Sequence, residues 1–363
     1  MKVALACGGT GGHIFPGLAT AQALRARGHE VSLWLAGKAG ETVAIQGWDG
    51  PIRTVAAQGL PTRLSWDTPR ALWRLLRAIR RCGHLMEQDR PDVVLAMGSY
   101  ASVGPSVAAR RRKIPLVLHE ANVIPGRAIG LLSRLAEVVA VSFEETRAYL
   151  RGRRVVFTGM PIRAELAAAA AQPPREGAPE GFTILITGGS GGARRLNELA
   201  AQAIPEAFRI EPAFRVIHLA RADDADQMRI TYAKAGVPHT VYAFCHDMAG
   251  VYQNTDLAIS RAGASTCAEL LAFGIPALLV PYPHAVRNHQ THNARAMERI
   301  GAAHWVEESD CEAEWLAQYL IGQFRAPERL HRMRQAARRH ARLDAADALA
   351  QVVEKTGLES SPD

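Results

Sequence analysis

A strand, a glycine turn and a helix are written twice into this chain of 363 residues. Gly8-Gly9-Thr10-Gly11-Gly12 follows the apolar run Val3 to Cys7, and Gly188-Gly189-Ser190-Gly191-Gly192 follows Phe182 to Thr187. Each leads into an Ala/Leu-rich segment of helical periodicity. Glycines let a backbone approach an anion closely, and the helix start that follows adds unpaired N–H groups and the positive end of a dipole. The pattern predicts two α/β domains of the phosphate-binding type facing a shared cleft.

The rest of the chain fits that plan. In the first half, apolar runs at 2–7, 31–36, 93–97, 115–119, 138–143 and 155–158 alternate with helical segments such as 17–27 and 127–136. In the second half, strands are expected near 183–187, 214–219, 240–244, 256–260, 277–281 and 303–306, with helices such as 265–273 and 289–299 between them. Strict alternation implies parallel sheets covered on both faces. Ala167 to Gly181, with Pro173, Pro174 and Pro179, reads as a loop or linker near a hinge, and Pro327 to Leu358 reads as a helical tail. The expected division is 1–161 and 162–343, with a helix at 344–358 able to pack back on the first domain.

Composition narrows the partners without choosing one. The net charge of +8, mostly from arginine, suits nucleic acid, an anionic membrane or a phosphorylated substrate. Five cysteines, odd in number and without CxxC pairing, read as small core residues of a reducing compartment. Met1-Lys2 runs directly into a strand, so no signal peptide is expected, and no apolar run is long enough to cross a bilayer. The cytosol, or its membrane surface, is the expected location. A nucleic-acid-binding protein would need stacking aromatics along a basic groove, yet aromatics are only 6% and concentrate elsewhere, so no nucleic-acid partner is expected.

The first glycine loop departs from the dinucleotide fingerprint, because Ile14 stands where the third glycine belongs. No acidic residue follows the second strand directly, at Leu35-Ala36-Gly37-Lys38, to hold an NAD ribose. No GxxxxGK[ST] loop occurs either, so no nicotinamide cofactor or P-loop hydrolysis is expected. His13, just after the loop, is a candidate base for an attacking hydroxyl, although a histidine there also serves as a locally bonded helix-start residue. Glu120, at a strand end in Leu118-His119-Glu120-Ala121-Asn122, is a second candidate. Arg163, taken with the second half, can reach a phosphate with its planar fork or stand as a surface arginine. Ser190 offers a hydroxyl and an N–H to phosphate. Glu269, one turn into the helix opened by Ala264-Ser265-Thr266, can accept hydrogen bonds from vicinal hydroxyls, and Gln290 offers both a donor and an acceptor to a sugar. No metal site is expected: His284, His289 and His292 lack an HExxH frame, and Asp224-Ala225-Asp226 reads as a solvated loop.

From Pro69 to Met86, Arg70, Arg74, Arg77, Arg80, Arg81 and His84 accompany Leu72, Leu75, Leu76 and Ile79 without an acid among residues 69–86. The apolar four fall on one helical face, which packing on a sheet would explain. Trp73 lies about 100° around from Leu72 and flanks the arginine sector, so that explanation does not cover it. With Trp66 just upstream and Arg110-Arg111-Arg112-Lys113 beyond, the set Trp66, Leu72, Trp73, Leu76, Arg77, Arg80 and Arg81 suits an anionic membrane interface.

Gly8 to Pro16, Met97-Gly98-Ser99-Tyr100, His119 to Gly126, Gly159-Met160-Pro161-Ile162-Arg163, Gly188 to Ala193, Ser260 to Ala264 and His289 to Ala294 run in one order over nearly the whole chain. Together they resemble the MurG family. The resemblance implies a GT-B fold, two Rossmann-like parallel-sheet domains around a deep cleft. It implies transfer of N-acetylglucosamine (GlcNAc) from UDP-GlcNAc to the N-acetylmuramic acid (MurNAc) 4-hydroxyl of undecaprenyl-linked lipid I, forming lipid II of peptidoglycan with inversion and without a metal or cofactor. The site would be the cytoplasmic face of the plasma membrane, at its anionic inner leaflet. By the same resemblance, donor contacts fall on Thr10, Gly11, Gly12, Asn122, Arg163, Ser190, the backbone of Cys245, Ala264, Ser265, Thr266, Glu269 and Gln290, and His13 or Glu120 is the base; the first glycine loop, beside the arginine and tryptophan surface, is expected to receive the lipid-linked pyrophosphate as well. The family usually has Gln at Ala121, Asn at Met160, Gly at Ser99 and often Gln at Gly191. A GT-B enzyme using UDP-GlcNAc with a soluble acceptor, or epimerising it, is the alternative.

Overall fold

The computed structural model describes residues 1–55, 68–172, 181–189 and 193–359. The chain forms two compact units, Met1–Arg163 together with Asp344–Asp363, and Ala164–Leu343. The junction therefore lies two residues later than the expected 161/162 boundary. Met160 and Ile162 are buried, and the guanidinium of Arg163 lies 5.4 Å from the centroid of the Phe15 ring. These contacts hold Arg163 to the first unit, against its expected place in the second.

The first unit is a seven-stranded parallel sheet: β1 (Lys2–Ala6), β2 (Glu30–Leu35), β3 (Ile52–Thr54), β4 (Val93–Ala96), β5 (Leu116–Glu120), β6 (Val138–Val141) and β7 (Val155–Phe157). Their order is β3-β2-β1-β4-β5-β6-β7. β1 is central, with Leu5 opposite Leu33 on one side and Leu95 on the other. All three leucines are fully buried, as a strand covered on both faces requires, and each such side chain contributes roughly 1.5–3 kcal/mol. β3 was not foreseen: Ile52-Arg53-Thr54 is a short, largely solvent-facing edge strand whose three residues are too few to show periodicity.

The helical tail consists of two helices. Pro327–His340 belongs to the second unit, and Ala345–Glu359 returns to the first. Leu349, Ala350 and Val353 of the last helix complete the core around Val3, Leu5, Leu95 and Val117. Gly357 allows the approach, because a Cβ there would come within 2.9 Å of Met1 Sδ.

The second unit is a six-stranded parallel sheet: β8 (Phe182–Thr187), β9 (Phe214–Leu219), β10 (His239–Tyr242), β11 (Leu257–Ser260), β12 (Ala277–Leu279) and β13 (Ala303–Trp305), in the order β10-β9-β8-β11-β12-β13. The helix Arg194–Ile210 buries Leu196, Leu199, Ala200, Ala203, Ile204 and Ala207, a 3.6-residue stripe laid on this sheet. Phe182, Phe214 and Phe324 pack together with ring centroids 5.3–5.7 Å apart. The expected linker begins inside a helix, Ala164–Ala170, where alanine propensity prevails, and its stretch 173–180 lies outside the described residues.

Candidate active site

Both strand orders reverse at one point, between β1 and β4 in the first unit and between β8 and β11 in the second. In open parallel sheets, ligands bind beyond the strand C-termini at such a point, where neighbouring loops diverge. The two glycine turns leave β1 and β8, so each stands at its own unit's reversal.

In the first unit, Gly8 is packed so closely on the loop after β2 that a Cβ would sit 2.4 Å from the Ala36 nitrogen. Gly9 has φ of +136°, and its N–H donates to the Glu41 carboxylate at 2.8 Å. Thr10 precedes the helix Gly11–Ala26, and its hydroxyl lies 3.1 Å from His13 Nδ1. In the tautomer with its proton on Nδ1, the ring donates to that hydroxyl and Nε2 is the basic nitrogen. The loop after β4 closes the other side: Ser99 Oγ donates to the Gly8 carbonyl at 2.6 Å, and a Cβ on Gly98 would lie 3.5 Å from His13 Nε2. The close helix-to-strand packing that Ile14 does not provide is provided one turn later. A Cβ on Gly17 would meet the Cys7 Cβ at 2.5 Å.

Glu120 ends β5 and is buried beneath its loop. Its Oε1 accepts from the Asn122 N–H at 2.9 Å and from Asn122 Nδ2 at 3.3 Å, while Oε2 accepts from the Gly126 N–H at 2.7 Å. Burial pushes its pKa up, and these donors pull against that shift. With both oxygens engaged by its own loop, this carboxylate shapes the Asn122 turn. His119 beside it is buried, and desolvation lowers its pKa to about 4.

The helix Thr68–Asp89 divides its apolar residues. Ile79, Cys82 and Met86 are buried, whereas Leu72, Trp73 and Leu76 are 54%, 59% and 39% exposed. The expected face is thus split, with Leu72 and Leu76 off the sheet. The Arg77 guanidinium lies 5.5 Å from the centroid of the Trp73 ring, and Arg80 and Arg81 are exposed. Arg112 packs against Gly83 and pairs with Glu87 at 2.6 Å, which joins the second cationic run to this helix. Trp66 lies outside the described residues.

In the second unit, Ser190, Gly191 and Gly192 lie outside the described residues, and Gly189 is held by its N–H to Thr187 Oγ1 at 3.2 Å. A Cβ on Gly189 would fall 3.9 Å from Thr266 Oγ1, so the turns after β8 and β11 meet. The helix Ala264–Phe273 starts there and stops at Gly274, whose φ of +66° is a glycine conformation. Ala264 and Ser265 form its first turn, and the Ser265 hydroxyl has no partner among the described residues. One turn on, Glu269 Oε2 accepts from the Tyr252 hydroxyl at 2.6 Å.

Gln290, at the start of the helix His289–Arg299, accepts from the Tyr282 N–H at 2.9 Å through Oε1, which directs its amide nitrogen to other acceptors. Cys245 is half-buried just beyond β10, next to the exposed Phe244. Sequence reasoning missed the residues that set these loops. Arg261, buried, donates to the Val280 and Pro281 carbonyls at 3.1 Å and pairs with Glu308, and Asn293 donates to the Ala262 carbonyl at 3.1 Å. Glu41 and Tyr252 were likewise missed. Arg261 and Asn293 stand within quoted motifs without a role having been given to them, whereas Glu41 and Tyr252 stand within none.

Asp224 and Asp226 are not in a loop. They occupy the first turns of the helix Ala222–Lys234, where the dipole favours acids, and they diverge. Asp224 accepts from Asn197 at 2.9 Å, while Asp226 pairs with Arg229. Asn197 Oδ1 meets His218 Nε2 at 3.0 Å, and His218 Nδ1 meets the Tyr232 hydroxyl at 2.9 Å, so this acid belongs to a buried network. Among the described residues no group of three or more His, Cys, Asp or Glu could hold a metal ion.

The N-terminal domain of glycosyltransferase family 28 matches residues 3–141, and the C-terminal domain of the same family matches 183–349. A Geobacter sulfurreducens protein named UDP-N-acetylglucosamine–N-acetylmuramyl-(pentapeptide) pyrophosphoryl-undecaprenol N-acetylglucosamine transferase is 35% identical, over 96% of this chain and 97% of its own. A Hahella chejuensis protein of the same name is 41% identical over 93% of each chain. The crystal structure of Acinetobacter baumannii MurG superposes with a TM-score of 0.79 at 31% identity, covering 98% of this chain and 99% of that one. With two Rossmann-ordered sheets, both family-28 domains and such likeness along nearly its whole length, the chain belongs to the MurG family of GT-B glycosyltransferases.

Proposed function

We propose that this protein transfers GlcNAc from UDP-GlcNAc to the MurNAc 4-hydroxyl of lipid I, forming lipid II with inversion at the anomeric carbon. The observation that carries this reading is the difference between two otherwise matching strand-order reversals. One presents a histidine, at a helix start, whose Nδ1 lies 3.1 Å from the Thr10 hydroxyl. The other presents a carboxylate, Glu269, of the kind that binds a ribose diol.

In the proposed reaction, His13 Nε2 takes the proton of the acceptor hydroxyl as its oxygen attacks the anomeric carbon from the face opposite UDP. The C–O bond to the diphosphate breaks, and UDP leaves with the electron pair. Arg163 and the N–H groups of the Ser190 turn meet the growing charge, a task that preorganised donors perform without a cation. Glu269 takes the ribose, the Cys245 backbone the uracil, and Gln290 and Asn122 the sugar. Ala264, Ser265 and Thr266 line the donor turn. Thr10, Gly11 and Gly12 receive the acceptor's pyrophosphate, with Glu120 shaping the neighbouring loop.

We assign the protein to the cytoplasmic face of the plasma membrane. Leu72, Trp73 and Leu76 would enter the interface, while Arg77, Arg80 and Arg81 face anionic headgroups. Among the described residues no helix is long and apolar enough to cross a bilayer, which fits attachment from one side. The relatives' shared name favours a lipid-linked acceptor over a soluble one or epimerisation.

The deciding assay is UDP release on mixing the protein with UDP-GlcNAc and a lipid I analogue. Release that needs the analogue and survives chelator supports the reading. Release without an acceptor, or none with it, rejects it.

A further inference from the structure

Glu41 lies outside every motif, yet it is one of the most heavily engaged carboxylates in the first unit and is only 2% exposed. It is the third residue of the short helix Ala39–Ala44, from which a glutamate can reach back over the helix start. Its Oε2 accepts from the Gly37 N–H at 2.7 Å and the Lys38 N–H at 3.1 Å. Its Oε1 accepts from the Ala36 N–H at 3.3 Å and, across the sheet, from the Gly9 N–H at 2.8 Å. One side chain thus ties the loop after β2 to the glycine turn after β1.

Two consequences follow for that turn. The Gly9 N–H, which in a nucleotide-binding turn would face a diphosphate, is spent on a protein carboxylate. The first-turn N–H groups of Gly11 and Gly12, which their own helix cannot use, are left to receive an outside anion. Gly9 needs such an anchor, because its φ of +136° is a conformation it can leave freely. Gly8 fits only while the Ala36 backbone stays in contact with it, 2.4 Å from where a Cβ would stand.

We propose that Glu41 is a positioning residue for acceptor binding: through Gly9 it fixes the turn that carries Thr10, Gly11 and Gly12. The inference rests on the reading of that turn as the acceptor's pyrophosphate site. Glu41 touches neither substrate and acts through the backbone it holds.

The test is steady-state kinetics on the full chain, with UDP-GlcNAc and a lipid I analogue varied separately, for Glu41→Ala, Glu41→Gln and Thr10→Ala. Glu41→Ala is expected to raise the KM for the analogue about tenfold, the scale of one charge-assisted hydrogen bond, with the KM for UDP-GlcNAc within about twofold of the parent. Glu41→Gln should fall between them, since its carbonyl can still accept from Gly9 while its amide opposes the Gly37 N–H. A KM for the analogue that stays constant in both Glu41 variants, or a KM for UDP-GlcNAc that rises equally, overturns the proposal. Thr10→Ala separates the two ideas. If it too leaves the analogue's KM unchanged, the acceptor reading of the turn has failed; if it raises that KM while the Glu41 variants do not, only the positioning role has failed.

Discussion

His13 Nδ1 and Thr10 Oγ1 stand 3.1 Å apart, three residues along one helix start. In the tautomer with the proton on Nδ1, the ring donates to the Thr10 hydroxyl and Nε2 is the nitrogen that accepts a proton. His13→Ala is therefore expected to lower kcat by about 10²–10⁴-fold with little change in affinity for UDP, the usual reach of a general base. Thr10→Ser should keep most of the kcat, and Thr10→Val should lose much of it. Turnover unaltered in His13→Ala would remove the residue as base.

Ser99 occupies φ +64°, ψ 172°, where the family usually has glycine. Its hydroxyl offsets the strain by donating to the Gly8 carbonyl and accepting from the Ala101 N–H at 3.1 Å. Ser99→Ala keeps the strained backbone and loses both bonds, so it should cost about 2 kcal/mol. Ser99→Gly loses the bonds but relieves the strain, and should be close to neutral. Urea unfolding of the two variants decides: equal destabilisation would mean that the backbone there is unstrained.

Acid should weaken the fold through its buried histidines. Desolvation lowers His119 and His218 from the ordinary 6.5 to about 4. A depressed pKa supplies stability above the unfolded value that is lost as pH falls toward the folded one. Each histidine should therefore withdraw about 2 kcal/mol between pH 6.5 and 5. Glu120 works in the opposite sense, because its raised pKa favours the fold at low pH. His218 is thus the cleaner probe, and His218→Gln should flatten the pH dependence of unfolding in the second unit. A parent protein equally stable at pH 6.5 and 5 would refute this.

Membrane attachment should depend on Trp73 and Leu76 together. Replacing both by alanine is expected to weaken sedimentation with phosphatidylglycerol vesicles tenfold or more, since both side chains stand free to enter a bilayer interface. UDP affinity should not change. Neutralising Arg77, Arg80 and Arg81 should remove most of the salt dependence, at about 1 kcal/mol per charge. Vesicle binding indifferent to both sets would end the assignment of this face.

For the donor, Glu269→Ala should weaken UDP binding by about tenfold or more, the scale of a hydrogen bond to a charged group. Tyr252→Phe should cost less, because it frees a carboxylate oxygen rather than removing one. Calorimetry reads both, and an unchanged Kd in Glu269→Ala would reject the ribose assignment.

What was legible followed from pattern and spacing. Central strands such as β1 and β8 are continuous apolar runs ended by glycine, and the helix 289–299 lies where its periodicity placed it. β3 escaped because an edge strand of three residues has neither length nor alternation. Leu72 and Leu76 share a helical face with Ile79, yet the helix outruns the surface it packs on, and spacing alone does not show where support ends. Glu41, the role of Arg261 inside its motif, and Tyr252 escaped for another reason. Each acts on a partner distant in sequence, Gly9, Glu308 and Glu269 respectively, and only folding brings them together.

The last helix carries a consequence for how the protein is made. Its Leu349, Ala350 and Val353 are the final pieces of a core begun by Val3 and Leu5. A ribosome moving from the N-terminus releases every residue of the second unit before it releases those three. The half of the molecule born first is thus finished last, and until then apolar surface over β4, β5 and β6 stays open to chaperones and proteases. A chain cut short before Asp344 would carry every residue of the second unit and lack the three side chains that close the first, so synthesis of the last helix becomes a condition for a working enzyme.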